Sequence, residues 1–239
     1  MKKILMSTAL LAGMLFLNSS FATPLQDAQK LYAKGDFKAA VDIASDIDTA
    51  EGQAFAAKAN SIYAGTQPEN KQEPMYAISE KYANNAVKLN SKYAPGYFEL
   101  ARALGRLSQL RGTLAALSQG LGTRIKTNLE TCIDLDRNSA SCMVAYGLWH
   151  AEIVAKGVGW VYGANEGASI NFFERAIAIE PKIIIHRVEY AKGMLLLNRD
   201  KYKAAAKSQL ELAIKLEPRD AADKLDLERA KRDLAELNK

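Results

Sequence analysis

A short phrase occurs four times along the chain, and it limits the possible folds more than any other feature. Each copy runs through a small residue, an aliphatic residue, a polar residue (alanine in the third copy), a second aliphatic residue and an acid or amide. A small residue with aliphatic residues one and three positions later suits the last turn of a packed helix, and Pro181 and Pro218 prevent that helix from continuing. The copies lie at residues 86–91, 132–137, 176–181 and 213–218.

The segments between these endings predict a series of helical hairpins. No segment shows the period-two alternation of apolar and polar residues that is typical of strands. In the second hairpin, a polar loop at residues 65–74 is expected to separate the two helices. The sequence therefore predicts an all-α fold. Its hairpins are expected at about residues 25–50, 52–91, 94–137, 140–181 and 184–218, with a capping helix at 221–237.

This pattern resembles the tetratricopeptide repeat (TPR) superfamily, in which helical hairpins of about 34 residues stack on one another. Three motifs are similar to the exported bacterial relatives of the regulator of microtubule dynamics family. They are Gly-Leu-Trp-His-Ala-Glu at 147–152, Gly-Ala-Asn-Glu-Gly-Ala at 163–168 and Phe-Phe-Glu-Arg-Ala at 172–176. The resemblance implies a right-handed superhelix of about five hairpins with insertions between paired helices, and no enzymatic activity.

The first residues have the pattern of a signal peptide. Lys2 and Lys3 form a positive region, residues 4–17 are apolar, and Ser20-Phe21-Ala22 supplies small residues at −3 and −1. The apolar run is shorter than the roughly 20 residues that span a membrane. We expect residues 1–22 to be cleaved off after Ala22 and residues 23–239 to form a periplasmic domain without a stable membrane span.

Charge and cysteine content limit the possible partners. The 32 basic side chains barely exceed the 27 acidic ones, whereas nucleic-acid binding usually needs a concentrated basic face. The two cysteines, Cys132 and Cys142, lie on either side of a predicted tight turn, and an oxidising compartment favours pairing them. Two alternatives remain at this stage: a disulfide, or a Cys132 that simply fills the small-residue position of its phrase.

Catalytic and metal-binding patterns are missing from the sequence. His150 and His186 are expected roughly 12 Å apart at about 1.5 Å of helix rise per residue, too far apart to share one zinc ion. There is no Gly-x-Ser-x-Gly turn after a strand and no Gly-x-x-x-x-Gly-Lys loop. We therefore expect no enzymatic activity, cofactor or metal site.

The TPR resemblance implies that the first helices of the hairpins line a concave groove. The groove would be mixed in character with a basic centre, which suits an extended peptide that carries a carboxylate, since guanidinium groups pair with carboxylates. The alternative is a set of ordinary solvated side chains. The implied groove residues are Asn60, Tyr63, Phe98, Arg102, Arg106, Leu148, Glu152 and Lys192.

Two insertions could contribute to binding. Residues 105–124 carry arginines without an acid, beside leucines at 104, 107, 110, 114, 117 and 121. They predict either a lid over the groove or extra helical turns packed on the array. The second insertion, residues 156–167, places Trp160 and Tyr162 in a loop, where they could anchor a partner or fold back as a plug.

The sequence thus favours a non-enzymatic periplasmic adaptor that binds a protein or peptide segment in its concave groove. One alternative is a carrier of a small apolar ligand, such as an accessory protein of a transport system. Another is a structural protein without a defined ligand. The oligomeric state is left open.

Overall fold

The computed structural model describes residues 23–239, except for the side chains of Thr113, Leu114 and Leu117, and this part of the chain has helices and no strand. The predicted signal peptide and its cleavage site lie outside the described residues. No helix within residues 23–239 is long and apolar enough to cross a membrane. The helices are α1 (Pro24–Lys34), α2 (Phe37–Ser45), α3 (Ala50–Gly65), α4 (Glu69–Leu89), α5 (Ala94–Ser118), α6 (Leu121–Leu135), α7 (Ala140–Ala155), α8 (Gly159–Tyr162), α9 (Glu166–Ile179), α10 (Ile184–Leu197), α11 (Arg199–Ile214) and α12 (Ala221–Leu237).

The helices form five antiparallel hairpins and a last helix. The pairs are α1/α2, α3/α4, α5/α6, α7/α9 and α10/α11, and the short α8 lies in the loop between α7 and α9. Each first helix packs against the second helix of the hairpin before it, and the first helices α3, α5, α7 and α10 also contact their neighbours. The first helices therefore form one layer of an all-α superhelix, which we call the inner face.

The repeated phrase ends three of the second helices in the same way. The backbone N–H groups of Asn90, Asp136 and Glu180 each donate to the carbonyl of the small residue four positions earlier, at N···O distances of 3.0, 3.0 and 2.9 Å. The fourth copy differs, because α11 ends at Ile214, two residues before Leu216. The small residues Ala86, Cys132, Ala176 and Ala213 are all fully buried.

Glycines let Phe173, the largest of the fully buried side chains in the described part of the chain, lie between two first helices. Phe173 of α9 is completely buried. A Cβ on Gly193 of α10 would lie 2.5 Å from Cε2 of Phe173, and a Cβ on Gly147 of α7 would lie 3.0 Å from its Cδ2. The phenyl ring therefore occupies the space that side chains would take at these two positions.

Cys132 and Cys142 form a disulfide that joins the end of α6 to the start of α7. Their Cα atoms are 6.2 Å apart, and both side chains are buried. The Ser139 hydroxyl donates to Sγ of Cys142 at 3.1 Å. The crosslink fixes the third hairpin to the fourth at their shared turn.

The start of α4 differs from the sequence expectation. The helix begins at Glu69 and contains Pro74, whereas a loop was expected to continue through that proline. Pro74 removes one backbone hydrogen bond. The helix nevertheless continues, because Tyr76, two residues after the proline, is buried against Ala64 of α3 and Leu107 of α5.

The first insertion extends the α5/α6 hairpin. The helix α5 is broken at Gly112, whose φ of 78° favours glycine, and its buried Leu107 packs on the second hairpin. Arg111 pairs with Glu73 at 2.8 Å and Arg124 pairs with Glu80 at 2.6 Å, both on α4. The insertion therefore packs against the outer helix α4, and these contacts favour the second of the two alternatives, extra helical turns packed on the array, over a lid.

The last helix joins the two ends of the array. The C-terminal half of α12 packs on α10 and α11 through the buried residues Ala230 and Leu237. Its first residues, Ala221 and Ala222, belong to one apolar cluster with Tyr32 of α1. The superhelix therefore curls until its last helix touches its first.

Candidate binding cleft on the inner face

The first three hairpins form a cleft on the inner face, which we call the inner-face cleft. It has a volume of about 250 Å³ and is open to solvent. Its walls come from α1, α3, the start of α5 and the turn before α5. The lining residues are Leu25, Gln29, Glu51, Ala54, Phe55, Lys58, Tyr93, Pro95 and Glu99.

The cleft contains an ammonium group without a carboxylate partner. Within residues 23–239, no acidic oxygen lies within the 4.0 Å of Lys58 Nζ that would make a salt bridge. The ammonium instead lies over the ring of Tyr32, 4.8 Å from its centroid. Burial lowers the pKa of Lys58, although the negative charge of Glu99 opposes the shift. A carboxylate brought into the cleft would offset the effect of this desolvation, because a nearby negative charge favours the charged ammonium.

A buried ion pair lies next to Lys58. Glu99 is almost fully buried and pairs with Arg102, one helical turn further along α5. Burial raises the pKa of Glu99, although Arg102 and Lys58 both favour its charged form. The guanidinium of Arg102 also lies over the ring of Phe98, 5.6 Å from its centroid. Arg102 is therefore held by its own helix and is less free than the sequence suggested.

Further along the inner face, predicted groove residues are linked by hydrogen bonds. Arg106 of α5 donates to Gln109 at 3.3 Å, and Gln109 donates to Glu152 of α7 at 3.0 Å. Lys192 of α10 pairs with the same carboxylate at 3.2 Å. Three of the eight implied groove residues are thus brought together by α5, α7 and α10.

The helix α12 adds partly buried charges beside this set. Arg229 donates to Glu189 of α10 at 2.7 Å. Burial alone would raise the pKa of Glu189, but Arg229, Lys192 and Arg106 lower it to about 2. Burial raises the pKa of Asp226 to about 7, with Glu189 adding to the shift and Arg229 opposing it. This part of the inner face is therefore covered by the chain itself.

A second cleft, of about 410 Å³, lies where α10, α11 and α12 meet. Its lining combines leucines with charged side chains. Lys192 is the only implied groove residue that lines it. The lining residues are Ala191, Lys192, Leu195, Leu196, Arg199, Leu210, Arg229, Asp233, Glu236 and Leu237.

Asn60 does not belong to the groove. Its side chain is only 5% exposed and donates to the carbonyl of Met75 at 2.6 Å and to the hydroxyl of Ser79 at 2.9 Å, both on α4. One residue of helix rotates the side-chain direction by about 100°, which carries Asn60 from the inner face to the interface with α4. Its role is to join the two helices of the second hairpin.

Tyr63, Phe98 and Leu148 are partly buried in apolar clusters. Tyr63 packs in the cluster that contains Tyr32, Phe98 packs beside the disulfide, and Leu148 packs on the core of the last hairpins. These three side chains mainly contribute packing between helices.

The second insertion separates its two aromatic residues. Tyr162 packs under the loop, where its ring meets Trp149 edge-on at 6.4 Å and its carbonyl accepts from Lys126 at 3.0 Å. Trp160 points outward and is 86% exposed. Tyr162 therefore plugs the base of the loop, and only Trp160 remains a candidate anchor.

The histidines are core residues. Burial lowers the pKa of both His150 and His186 to about 4. His150 stacks on Phe172 with ring centroids 5.9 Å apart, and its Nδ1 accepts from the backbone of Asn165 at 3.3 Å. No group of three potential metal ligands occurs within residues 23–239.

Sequence reasoning missed the residues that line the inner-face cleft. Lys58 and Phe55 lie one and four positions before Ala59, the small residue of α3. The groove residues of α3 that the TPR resemblance implies, Asn60 and Tyr63, lie one and four positions after Ala59. Counting backward by the same helical spacing would have found the cleft.

Comparison with known proteins supports the fold. No family model matches the sequence, and no curated protein is significantly similar to it. Among solved structures, the chain is similar to a thermophilic TPR protein of Thermus thermophilus, with a TM-score of 0.62 and 17% identity over 87% of this chain and 97% of that one. The stacked hairpins and this likeness together show that the chain has the fold of the tetratricopeptide repeat proteins.

Proposed function

We propose that the protein is a non-enzymatic periplasmic adaptor that binds a segment of another protein in the inner-face cleft. The observation that carries the proposal is Lys58, an ammonium that faces the cleft without a carboxylate partner in the described part of the chain. A carboxylate of the bound segment, from an acidic side chain or a chain end, would pair with it.

The walls of the cleft suit a side chain next to that carboxylate. Leu25, Ala54, Phe55 and Pro95 offer an apolar surface within the same 250 Å³. Small-molecule sites usually enclose their ligand in about 300–1,000 Å³ of mostly apolar space. An open, smaller cleft that contains charged groups supports a chain segment as the ligand over an enclosed apolar molecule.

Export to the periplasm is supported by two independent features. Residues 1–22 have the order of charge, apolar run and small residues of a signal peptide. The disulfide between Cys132 and Cys142 is of a kind that persists in oxidising compartments. Mass measurement of the purified protein from the native cell should give a chain that begins at Thr23, and a chain that retains residues 1–22 would contradict export by this route.

Site-specific photo-crosslinking in intact cells tests the binding site. A photo-reactive residue at Gln29, which is exposed at the rim of the cleft, should give a defined adduct with one protein. The same residue at Lys203, exposed on the outer helix α11, is the control and should give none. The adduct should disappear when Lys58→Glu is added. Adducts that are equal at both positions, or that survive Lys58→Glu, would refute the proposed site.

A further inference from the structure

The two ends of the array meet in a contact that we call the clasp. It consists of Ala221 and Ala222 at the start of α12 with Tyr32 and Gly35 at the end of α1. Ala222 and Tyr32 are both buried in one cluster. A Cβ built on Gly35 would lie 3.2 Å from the Cβ of Ala221. The absence of a side chain at Gly35 therefore allows the start of α12 to approach the end of α1 closely.

Tyr32 of the clasp contacts two residues that line the inner-face cleft. On its cleft side, the Tyr32 ring meets Phe55 edge-on, with centroids 5.5 Å apart, and carries the ammonium of Lys58 over its face. Phe55 and Lys58 both line the cleft. A side chain that enters the cleft therefore presses on residues that pack directly against the clasp.

Charges at the start of α12 connect it to the cleft as well. Arg219 is held by the carboxylate of Asp223 through contacts of 2.6 and 2.9 Å, and Asp220 caps the helix by accepting from the Asp223 backbone at 2.8 Å. Asp220 favours the charged form of Lys58 and Arg219 opposes it. Separating α12 from α1 would thus change the electrostatic surroundings of Lys58.

We infer that the clasp is coupled to the inner-face cleft through Tyr32: when α12 separates from α1, the ring on which Phe55 and Lys58 pack loses its support, and the cleft that binds the segment changes its shape and exposes Lys58. This inference rests on the proposed function for the identity of the ligand. The helix α12 contributes only the methyl groups of Ala221 and Ala222 to the apolar part of the clasp, and a small apolar contact opens at low cost.

Distances between spin labels in the full chain test the inference without any ligand. Labels are placed at Lys34→Cys and Lys224→Cys, both exposed beside the clasp; the native cysteines are paired. The unaltered clasp should give one short, narrow distance. Ala221→Glu, which places a charge in the contact, should add a longer and broader population. Ala235→Glu makes the same change at an exposed position of α12 and should leave the distance unchanged.

Acetylation of Lys58, followed by mass spectrometry, reports on the cleft in the same proteins. Ala221→Glu should raise its rate severalfold relative to Ala235→Glu. If the circular dichroism of Ala221→Glu shows loss of helix, both measurements are made on Ala221→Leu instead. Its larger side chain separates the two backbones at the clasp without adding a charge. Unchanged distances, or longer distances with an unchanged Lys58 rate, would overturn the inference. Neither the spin-label distances nor the Lys58 acetylation rate requires a partner. A failed crosslink at Gln29 would therefore refute the proposed function without affecting the test of the clasp.

Discussion

Removing the disulfide should destabilise the protein by an amount set mainly by loop size. Cys132 and Cys142 are 10 residues apart in sequence. For a closed loop of that size, the chain-entropy relation gives about 2.7 kcal/mol at 25 °C. In a domain of this length, that corresponds to a fall in Tm of roughly 5–10 °C. The double variant Cys132→Ala/Cys142→Ala removes the crosslink and introduces the residue that the other three phrases carry at the position of Cys132.

Urea unfolding at 25 °C, followed by far-UV circular dichroism, measures this loss of free energy. A reducing agent provides a matched control, because it should lower the stability of the wild type toward that of the double variant and leave the double variant unchanged. The oxidised state of the wild type is verified by its mass, which is lower by two hydrogens. A loss of less than about 1 kcal/mol would refute the reasoning that the crosslink limits the unfolded chain.

Other changes probe the core, the buried charges and the second insertion. Gly193→Ala should cost about 1–3 kcal/mol in urea unfolding, because its Cβ would lie 2.5 Å from Phe173; an unchanged midpoint would contradict that packing. Asp226 has a raised folded-state pKa of about 7, so its own contribution to stability should fall as pH rises from about 4 through 7, opposite in sign to the contributions of His150 and His186. Asp226→Asn should therefore gain stability relative to the wild type as pH rises over that range, and a constant difference between the two proteins would contradict the desolvation of Asp226. Trp160 is 86% exposed and Trp149 is 4% exposed, so acrylamide should quench the fluorescence of Trp160 and leave that of Trp149 largely unquenched. Trp160→Phe should therefore abolish most of the quenching, and equal quenching of the wild type and the variant would contradict these exposures.

The sequence was sufficient to predict the helix endings, because these depend on local chemistry. The small residue of each phrase is buried, and in α4, α6 and α9 its carbonyl accepts the same hydrogen bond from the backbone N–H of the residue four positions later. The exception, α11, ends early although Pro218 is present. A proline therefore sets the latest possible end of a helix, and the packing of the turn before it sets the actual end.

The sequence was less informative where tertiary contacts decide. Pro74 suggested a loop, yet the burial of Tyr76 keeps that segment helical. Asn60 was assigned to the groove by its offset from Ala59, but one residue of helical rotation turns it toward α4. The contact of Ala221 with the end of α1 depends on the summed curvature of all the hairpins, which no local pattern encodes.

Labelling of Lys58 in cells tests the central claim most directly. If the inner-face cleft binds a protein segment, acetylation of Lys58 should be slower in intact cells than in the purified protein, with Lys203 on the outer face labelled equally in both. Protection of Lys58 that disappears on purification, with no change at Lys203, is the predicted result. A Lys58 to Lys203 labelling ratio that is the same in cells and in the purified protein would contradict the account.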